Sequence, residues 1–257
     1  MINLDTELEK MLIVGNLASK VLDMIKLYIK PGISTGELND ICNLYIEKKL
    51  NAKSAILNYK GFPKSICTSI NEVVCHGIPD NNRYIKEGDI LNIDVTIFKD
   101  GFYGDTSKMF CVGKVSKIAS RLCLVAKKSL YLAIKNIYPG IKLNTIGKII
   151  ENFVEFNGFY VVKDYCGHGI GKKFHDNPQV LHYYSDYNNY VLKPGMAITI
   201  EPMINTISDG VKLMKDGWTV KTKDHGLSAQ YEHTILITKN GYLVTTLRDN
   251  EKIDFII

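Results

Sequence analysis

Two stretches of this chain resemble each other: IKEGDILNID at residues 85–94 and LKPGMAITIE at residues 192–201. In each stretch an acidic residue, Asp94 or Glu201, stands six positions after a glycine, at the end of an apolar strand pattern. The motif Pro-Gly-Ile at 31–33 also returns at 139–141, at nearly the same offset. We therefore predict a duplicated fold in which the two acids converge on one site at the axis relating the halves.

The order of predicted elements repeats in the same way. Helical periodicity and capping boxes at Thr6/Glu9 and Ser34/Glu37 predict two helices before a strand region at 64–110. Two more helices, near 117–136 and 145–157, precede strands that include 196–201 and 230–238. We expect an α/β (α+β) fold in a single catalytic domain, 1–257, with halves of about 1–115 and 116–257.

Composition is that of an ordinary globular protein, with 46% hydrophobic and 23% charged residues. The net charge of +5 comes almost entirely from lysine, and with only three arginines the chain is not expected to read nucleic-acid sequence. The six cysteines show no C-x-x-C spacing, and neither a signal peptide nor a membrane-length apolar run is present. These features predict reduced thiols, no membrane partner and a cytoplasmic location.

Five residues lie in short segments suited to holding metal: Asp94, Asp105, His168, Glu201 and Glu232. A turn at 100–101 would bring Asp94 and Asp105 close to face to face, where two carboxylates repel unless a cation or proton lies between them. Taken singly, Asp105, Glu201 and Glu232 are more typical of surface or capping positions. The glycines around His168 also fit a phosphate loop, although no complete phosphate-binding motif is present.

A set of six motifs, in order along nearly the whole chain, resembles bacterial type I methionine aminopeptidases. The motifs are GFPKSICTSINEVVCHGIP at 61–79, NIDV at 92–95, GDTS at 104–107, CGHGIG at 166–171, IEP at 200–202 and QYEHT at 230–234. The resemblance implies the pita-bread fold, with two pseudo-symmetric α/β halves and a curved antiparallel sheet around a central di-metal site.

The resemblance also assigns roles to the five metal candidates. It implies that Asp94 binds one divalent ion, that His168 and Glu201 bind the other, and that Asp105 and Glu232 bridge the two. Oxygen ligands with a single imidazole suit Mn, Fe or Co and tolerate Zn, and the sequence does not choose among them. By the same resemblance Glu201 is the general base.

Further family positions point to the substrate. His76 and His175 match residues that contact the substrate and stabilise the developing oxyanion or the leaving amide; alone, each is more typical of a turn or a surface. The implied methionine pocket is formed by Tyr59, Phe62, Cys67, Phe174 and Trp218. Two positions depart from the common family pattern: Phe62 stands where tyrosine is frequent, and Ile56 where cysteine is frequent. The resemblance also implies a monovalent cation near Asn71, Val73 and Ser228.

The expected activity is metal-dependent removal of the N-terminal methionine from nascent polypeptides whose second residue is small. The expected partners are nascent N-termini and, from the lysine excess, the ribosome, with the enzyme acting as a monomer. Two rivals remain open on the residues alone: an X-Pro peptidase of the same fold, and a catalytically inactive pita-bread binding protein. Both are disfavoured, the first by the chain length and the second by the complete ligand set.

Overall fold

The computed structural model describes residues 1–249 and 251–253. Within these residues the α-helices are α1 (Leu8–Ile25), α2 (Thr35–Leu44), α3 (Lys117–Lys135) and α4 (Leu143–Phe156). Short helical turns at Lys26–Tyr28, Tyr45–Lys49 and Tyr59–Gly61 follow α1, α2 and β1. No helix in this part of the chain is long and apolar enough to cross a membrane.

Fifteen short strands lie in the described part of the chain, and every strand pair there is antiparallel. In the first half they are β1 (Lys53–Ser54), β2 (Cys67–Ile70), β3 (Val73–Cys75), β4 (Ile90–Lys99) and β5 (Phe102–Cys111). In the second half they are β6 (Tyr160–Val161), β7 (Gly167–Ile170), β8 (Asp176–Val180), β9 (Ala197–Ile200), β10 (Met203–Asn205), β11 (Val211–Leu213), β12 (Val220–Thr222), β13 (Ser228–Gln230), β14 (His233–Ile237) and β15 (Tyr242–Val244).

Capping boxes were predicted for the first two helices, and the structure contains one of them. The capping box at Ser34 is present, because the Ser34 hydroxyl accepts from the Glu37 amide and the Glu37 carboxylate accepts from the Ser34 amide. The predicted capping box at Thr6 is wrong. The helix begins at Leu8 with Glu7 as N-cap, and the Glu7 carboxylate instead accepts from the Asn3 amide and pairs with Lys172.

A long hairpin dominates the first half. Strands β4 and β5 pair over their full lengths around the turn at 100–101, and β2 and β1 pair with the other edge of β4. Helix α1 packs on this hairpin with its buried face, because Val14, Ala18 and Leu22 recur at helical spacing. At the crossing Gly104 of β5 lies against Gly15 of α1, where no side chain keeps the two backbones apart.

The second half contains a five-stranded sheet in the order β15-β14-β9-β7-β8. Helices α3 and α4 cover it through a second apolar core. The strand predicted at 230–238 is interrupted: β13 pairs with β10, whereas β14 pairs with β9. The chain therefore changes sheets at Tyr231–Glu232, which places Glu232 between the two sheets.

The two halves repeat the same hydrogen bonds. Gly32 donates to the Ile85 carbonyl as Gly140 does to the Leu192 carbonyl, and Gly88 donates to Val112 as Gly195 does to Ile237. These four glycines all adopt positive φ, between 85° and 100°. The recurrence is what a duplicated sequence predicts, and it relates Asp94 to Glu201. The expected strand end is found only for Glu201, which directly follows β9, because β4 continues past Asp94 to Lys99. The division of the chain near residue 115 stays a prediction.

The halves meet along β5 and residues 230–234. The Thr106 hydroxyl donates to the Glu232 carbonyl at 2.7 Å, and the Glu232 amide donates to the Ser107 carbonyl at 3.1 Å. The Asn92 amide side chain also donates to the Gln230 carbonyl at 2.8 Å. This junction brings the acidic residues of β4 and β5 close to those that follow β9 and β13.

Candidate metal centre

Three carboxylates from the two halves converge at the junction. Asp94, Asp105 and Glu232 each offer an oxygen, and these oxygens all lie within 4.8 Å of one another. His168 Nε2 lies 3.9 Å from Asp105 Oδ2 and 3.7 Å from Glu201 Oε1. All five predicted metal residues therefore surround one small space.

The β4–β5 hairpin explains the positions of Asp94 and Asp105. Asp94 pairs with Ser107 and Thr96 pairs with Asp105, so the two aspartates are diagonal neighbours on one sheet face and not directly opposite. The two aspartates are therefore close, as predicted, and stand one two-residue step from direct opposition. Thr96 uses the intervening position to donate its hydroxyl to Asp105 Oδ1 at 2.8 Å, which fixes the rotation of that carboxylate.

Glu201 is held on three sides at the end of β9. The Thr199 hydroxyl donates to Glu201 Oε1 at 2.8 Å, and the Gln230 amide donates to Oε2 at 3.2 Å. The Glu201 main-chain amide donates to His182 Nε2 at 3.1 Å. Thr199 Oγ1 also accepts from the His168 amide at 3.0 Å, so one hydroxyl couples two candidate ligands.

The tautomer of His168 fits a metal ligand. Its Nδ1 lies 3.0 Å from the Gly169 carbonyl, and a carbonyl only accepts, so Nδ1 carries the proton. Burial lowers the pKa of His168 to about 4, which leaves the imidazole neutral. The Nε2 lone pair then faces two carboxylates, an arrangement that a cation or a proton between them would stabilise.

The electrostatics of the carboxylates lead to the same conclusion. Burial raises the pKa of Asp94, Asp105, Glu201 and Glu232, and for Asp105 and Glu232 the neighbouring carboxylates raise it further. Asp94 Oδ1 is buried and has no hydrogen-bond partner. Oxygen donors plus one neutral imidazole form a donor set typical of divalent transition metals. The residues present fit such ions.

The two further histidines lie on either side of this space. His76, whose φ of 55° places it in the left-handed region, packs edge-on against Trp218 with ring centroids 5.9 Å apart. His175 lies 4.2 Å from His168 between ring centroids, and its Nδ1 is 3.0 Å from the Tyr59 hydroxyl. Burial lowers the pKa of His76 to about 4; desolvation and then His168 lower that of His175 to about 3. Both are neutral hydrogen-bonding groups at pH 7.

An apolar pocket opens beside the carboxylates. The predicted pocket residues come together in one cluster. Tyr59, Phe174 and Trp218 line a cavity of about 580 Å³ that also contains the candidate metal ligands, whereas Phe62 and Cys67 are buried and do not line it. Ile56 belongs to the same cluster. The cluster comprises Tyr59, Phe62, Cys67, Phe174 and Trp218 together with Ala55, Ile56, Ile78 and Tyr103.

The region suggested for a monovalent cation also contains unsatisfied oxygens. Ser228 donates its amide to the Asn71 carbonyl at 2.8 Å, which brings the two segments together. The Ser228 hydroxyl and Asn205 Oδ1 are buried without hydrogen-bond partners, and these two residues pair across β13 and β10. Asn205 was not anticipated from the sequence.

Several residues behind the ligands were missed at the level of sequence. Thr96 and Thr199 lie two positions from Asp94 and Glu201, so strand alternation places their side chains on the ligand face. That signal was available. His182 and Arg248 come from distant segments, and no local pattern marks either of them.

Comparison with known proteins agrees with this site. The profile of the family described as metallopeptidase family M24 matches residues 9–239. The chain therefore belongs to metallopeptidase family M24.

Individual proteins also resemble this chain over nearly its whole length. Methionine aminopeptidase from Escherichia coli is 59% identical over 251 residues, covering 98% of this chain and 95% of the relative. The crystal structure of methionine aminopeptidase from Rickettsia prowazekii has a TM-score of 0.93 at 49% identity and covers 96% of this chain and 99% of that one. These relatives confirm the predicted methionine aminopeptidase family and its pita-bread fold.

Proposed function

We propose that this chain is a metal-dependent aminopeptidase that removes the N-terminal methionine from peptides and nascent proteins. The observation that carries the proposal is the convergence of Asp94, Asp105, Glu232, His168 and Glu201 beside an apolar pocket. Family membership and relatives at 59% identity agree with it. The bond cleaved is the amide between methionine and the second residue.

The metal ligands would be the five convergent residues. Asp94 would hold one divalent ion, His168 and Glu201 would hold the other, and Asp105 and Glu232 would be shared between the two. When bound, such ions polarise the scissile carbonyl and lower the pKa of a water. The donor set suits Mn, Fe, Co or Zn.

Glu201 would act as the general base. Thr199 and Gln230 donate to its two oxygens, so the carboxylate is held toward His168 and the cavity. In this position it takes the proton of the attacking water and returns it to the departing amine. Neutral His76 and His175 donate hydrogen bonds to the carbonyl oxygen as negative charge develops, or to the amide being cleaved.

The pocket would select methionine by shape and polarizability. Phe62 packs against Trp218 edge-on at 5.2 Å, and Phe174 stacks on Tyr103 at 5.7 Å. Aromatic edges of this kind favour a thioether, and an unbranched side chain fits the space between them. Phe62 in place of tyrosine, and Ile56 in place of cysteine, keep this wall apolar.

Further parts of the proposal concern the setting of the enzyme. A monovalent cation would bind near Asn71, Val73 and Ser228, supported by the buried Ser228 hydroxyl that lacks a partner. The enzyme would act as a monomer in the cytoplasm on nascent chains, with the lysine excess favouring contact with the ribosome. Sedimentation with ribosomes at low salt tests this last point.

The decisive experiment measures peptide cleavage with and without a chelator. We expect Mn²⁺-loaded protein to release methionine from Met-Ala-Ser, and at least about 100-fold more slowly from Met-Leu-Ser, because a bulky second residue is poorly accommodated. Chelation should abolish the activity, and added Mn²⁺ should restore it. Activity that survives chelation, or a preference for X-Pro peptides, would overturn the proposal.

A further inference from the structure

A buried arginine lies directly behind the candidate metal centre. Arg248 is 2% exposed, and its guanidinium donates to the main-chain carbonyl of Ser107 at 2.7 Å and to that of Glu232 at 3.2 Å. A buried guanidinium is costly unless its donors are satisfied. Here the acceptors are main-chain atoms beside the ligands, in both halves of the molecule.

The two carbonyls belong to the segments that carry the candidate bridging ligands. Ser107 stands two positions after Asp105 in β5, and Glu232 is itself a candidate ligand. The Glu232 amide donates to the same Ser107 carbonyl that Arg248 contacts. The guanidinium therefore joins β5 to residues 230–234 at the place where Asp105 and Glu232 approach each other.

Arg248 is itself fixed by a network of buried groups. Glu251 Oε2 accepts from Arg248 Nε at 3.0 Å, and Glu251 Oε1 accepts from the Tyr131 hydroxyl at 2.6 Å. His233 Nε2 lies 2.9 Å from a guanidinium nitrogen and accepts from it, since a guanidinium only donates. The remaining His233 nitrogen, Nδ1, lies 2.9 Å from the Thr246 hydroxyl and donates to it. No atom of this network needs to contact substrate.

The Glu251 carboxylate stays charged in this setting. Burial acts to raise its pKa, but the charge of Arg248 and the hydrogen bond from the Tyr131 hydroxyl hold the pKa well below its usual range. The ion pair is therefore permanent across the working pH range. The ion pair can therefore act on the candidate metal centre through its geometry and not through a change of protonation.

We propose that Arg248, held by Glu251, is a positioning residue that sets the spacing between the bridging carboxylates Asp105 and Glu232. The inference rests on the proposed function, because it assumes that these two carboxylates bind metal. Outer hydrogen bonds of this kind tune metal affinity. Lysine keeps the charge but lacks the planar fork that spans two carbonyls and a carboxylate.

The test measures Mn²⁺ binding to the metal-free protein by calorimetry, on variants whose folding is checked by circular dichroism. Arg248→Lys is expected to raise the Mn²⁺ dissociation constant about 10-fold or more and to lower kcat with little change in KM. Arg121→Lys is the matched control, because Arg121 also donates to a carbonyl, that of Asn157, on the exposed surface. The control is expected to stay within about 2-fold of wild type.

A folded Arg248→Lys protein with the dissociation constant of wild type would overturn the inference and leave the proposed function standing. Wild-type protein that neither binds Mn²⁺ nor cleaves Met-Ala-Ser would overturn both. If Arg248→Lys does not fold, Glu251→Gln decides in its place: a dissociation constant raised about 3-fold or more supports the inference, and an unchanged one overturns it.

Discussion

At the scale of single residues, one hydrogen bond determines which nitrogen of His168 faces the carboxylates. The Gly169 carbonyl accepts a hydrogen bond from the Nδ1–H group, so the Nε2 lone pair is directed at Asp105 and Glu201. Thr96 and Thr199 act similarly on the carboxylates, since Thr96 donates to Asp105 Oδ1 and Thr199 donates to Glu201 Oε1. These partners orient the candidate ligands through hydrogen bonds alone.

Glu201→Gln tests the proposed base. We expect the variant to keep the fold and to lose about 100-fold or more in kcat, because an amide cannot accept the proton of the attacking water. Steady-state cleavage of Met-Ala-Ser measures the loss, and Mn²⁺ titration separates it from weaker metal binding. A variant with unimpaired turnover at saturating Mn²⁺ would exclude Glu201 as the base.

Tyr59→Phe tests the hydrogen bond to His175. The tyrosine hydroxyl can donate to Nδ1 and thereby keep a proton on Nε2, the nitrogen available to the substrate. We expect kcat to fall about 3- to 10-fold with KM nearly unchanged, the cost of one hydrogen bond. Tyr103→Phe is the control, because Tyr103 also packs on Phe174 but its hydroxyl makes no hydrogen bond within the described residues. Equal effects of the two variants would contradict this role.

At the scale of elements, the β4–β5 hairpin and helix α1 support the candidate ligands Asp94 and Asp105. The hairpin pairs without interruption from Ile90 to Lys99 and from Phe102 to Cys111. Helix α1 lies close because Gly15 and Gly104 meet without side chains. The close contact is a packing requirement, since neither glycine adopts positive φ.

Gly104→Ala is expected to destabilise the protein by about 1–3 kcal/mol through overpacking. A methyl group there would lie 2.8 Å from the Gly15 nitrogen and 2.9 Å from its Cα, and backbone atoms cannot move aside as a flexible side chain can. Urea unfolding measures the loss. Gly210→Ala is the control, because its nearest neighbour would be 3.4 Å away, and it should stay within about 1 kcal/mol of wild type.

At the scale of the whole molecule, the junction of the halves gathers four carboxylates whose charged forms are disfavoured by burial. Their folded-state pKa values lie above those of the unfolded chain, with Glu201 at about 8. Without metal, the folded state therefore binds more protons than the unfolded state, and stability falls as pH rises. The buried histidines have lowered pKa values and act oppositely, but only below about pH 6.5, where unfolded histidine takes up a proton.

We therefore expect metal-free protein to lose thermal stability between pH 6.5 and 8. Mn²⁺-loaded protein should show the reverse slope, because protons compete with the metal for the same carboxylates. Scanning calorimetry at the two pH values, with and without Mn²⁺, measures both slopes. Metal-free protein that gains stability from pH 6.5 to 8 would contradict the picture of a carboxylate cluster built for cations.

Much of this architecture could be predicted because it is local or repeated. The apolar periodicity gave the positions of α3 and α4 to within two residues, and the Ser34 capping box was correct. The Thr6 capping box failed because α1 begins at Leu8 with Glu7, not Thr6, at the N-cap. The sequence predicted one strand at 230–238 because the apolar pattern there is continuous. Strand pairing shows instead that β13 and β14 belong to two different sheets.

By itself, the sequence determined the duplication pattern and the types of the candidate ligands, since both are carried by residue identity and spacing, whereas the pocket residues were implied by the family resemblance. Only the tertiary structure decided the diagonal register of Asp94 and Asp105, the tautomer of His168 and the place of Arg248 behind Glu232. The register depends on how β4 and β5 pair, the tautomer on the main-chain carbonyl that Nδ1 meets, and the place of Arg248 on how β5 and residues 230–234 meet. No local pattern encodes these arrangements.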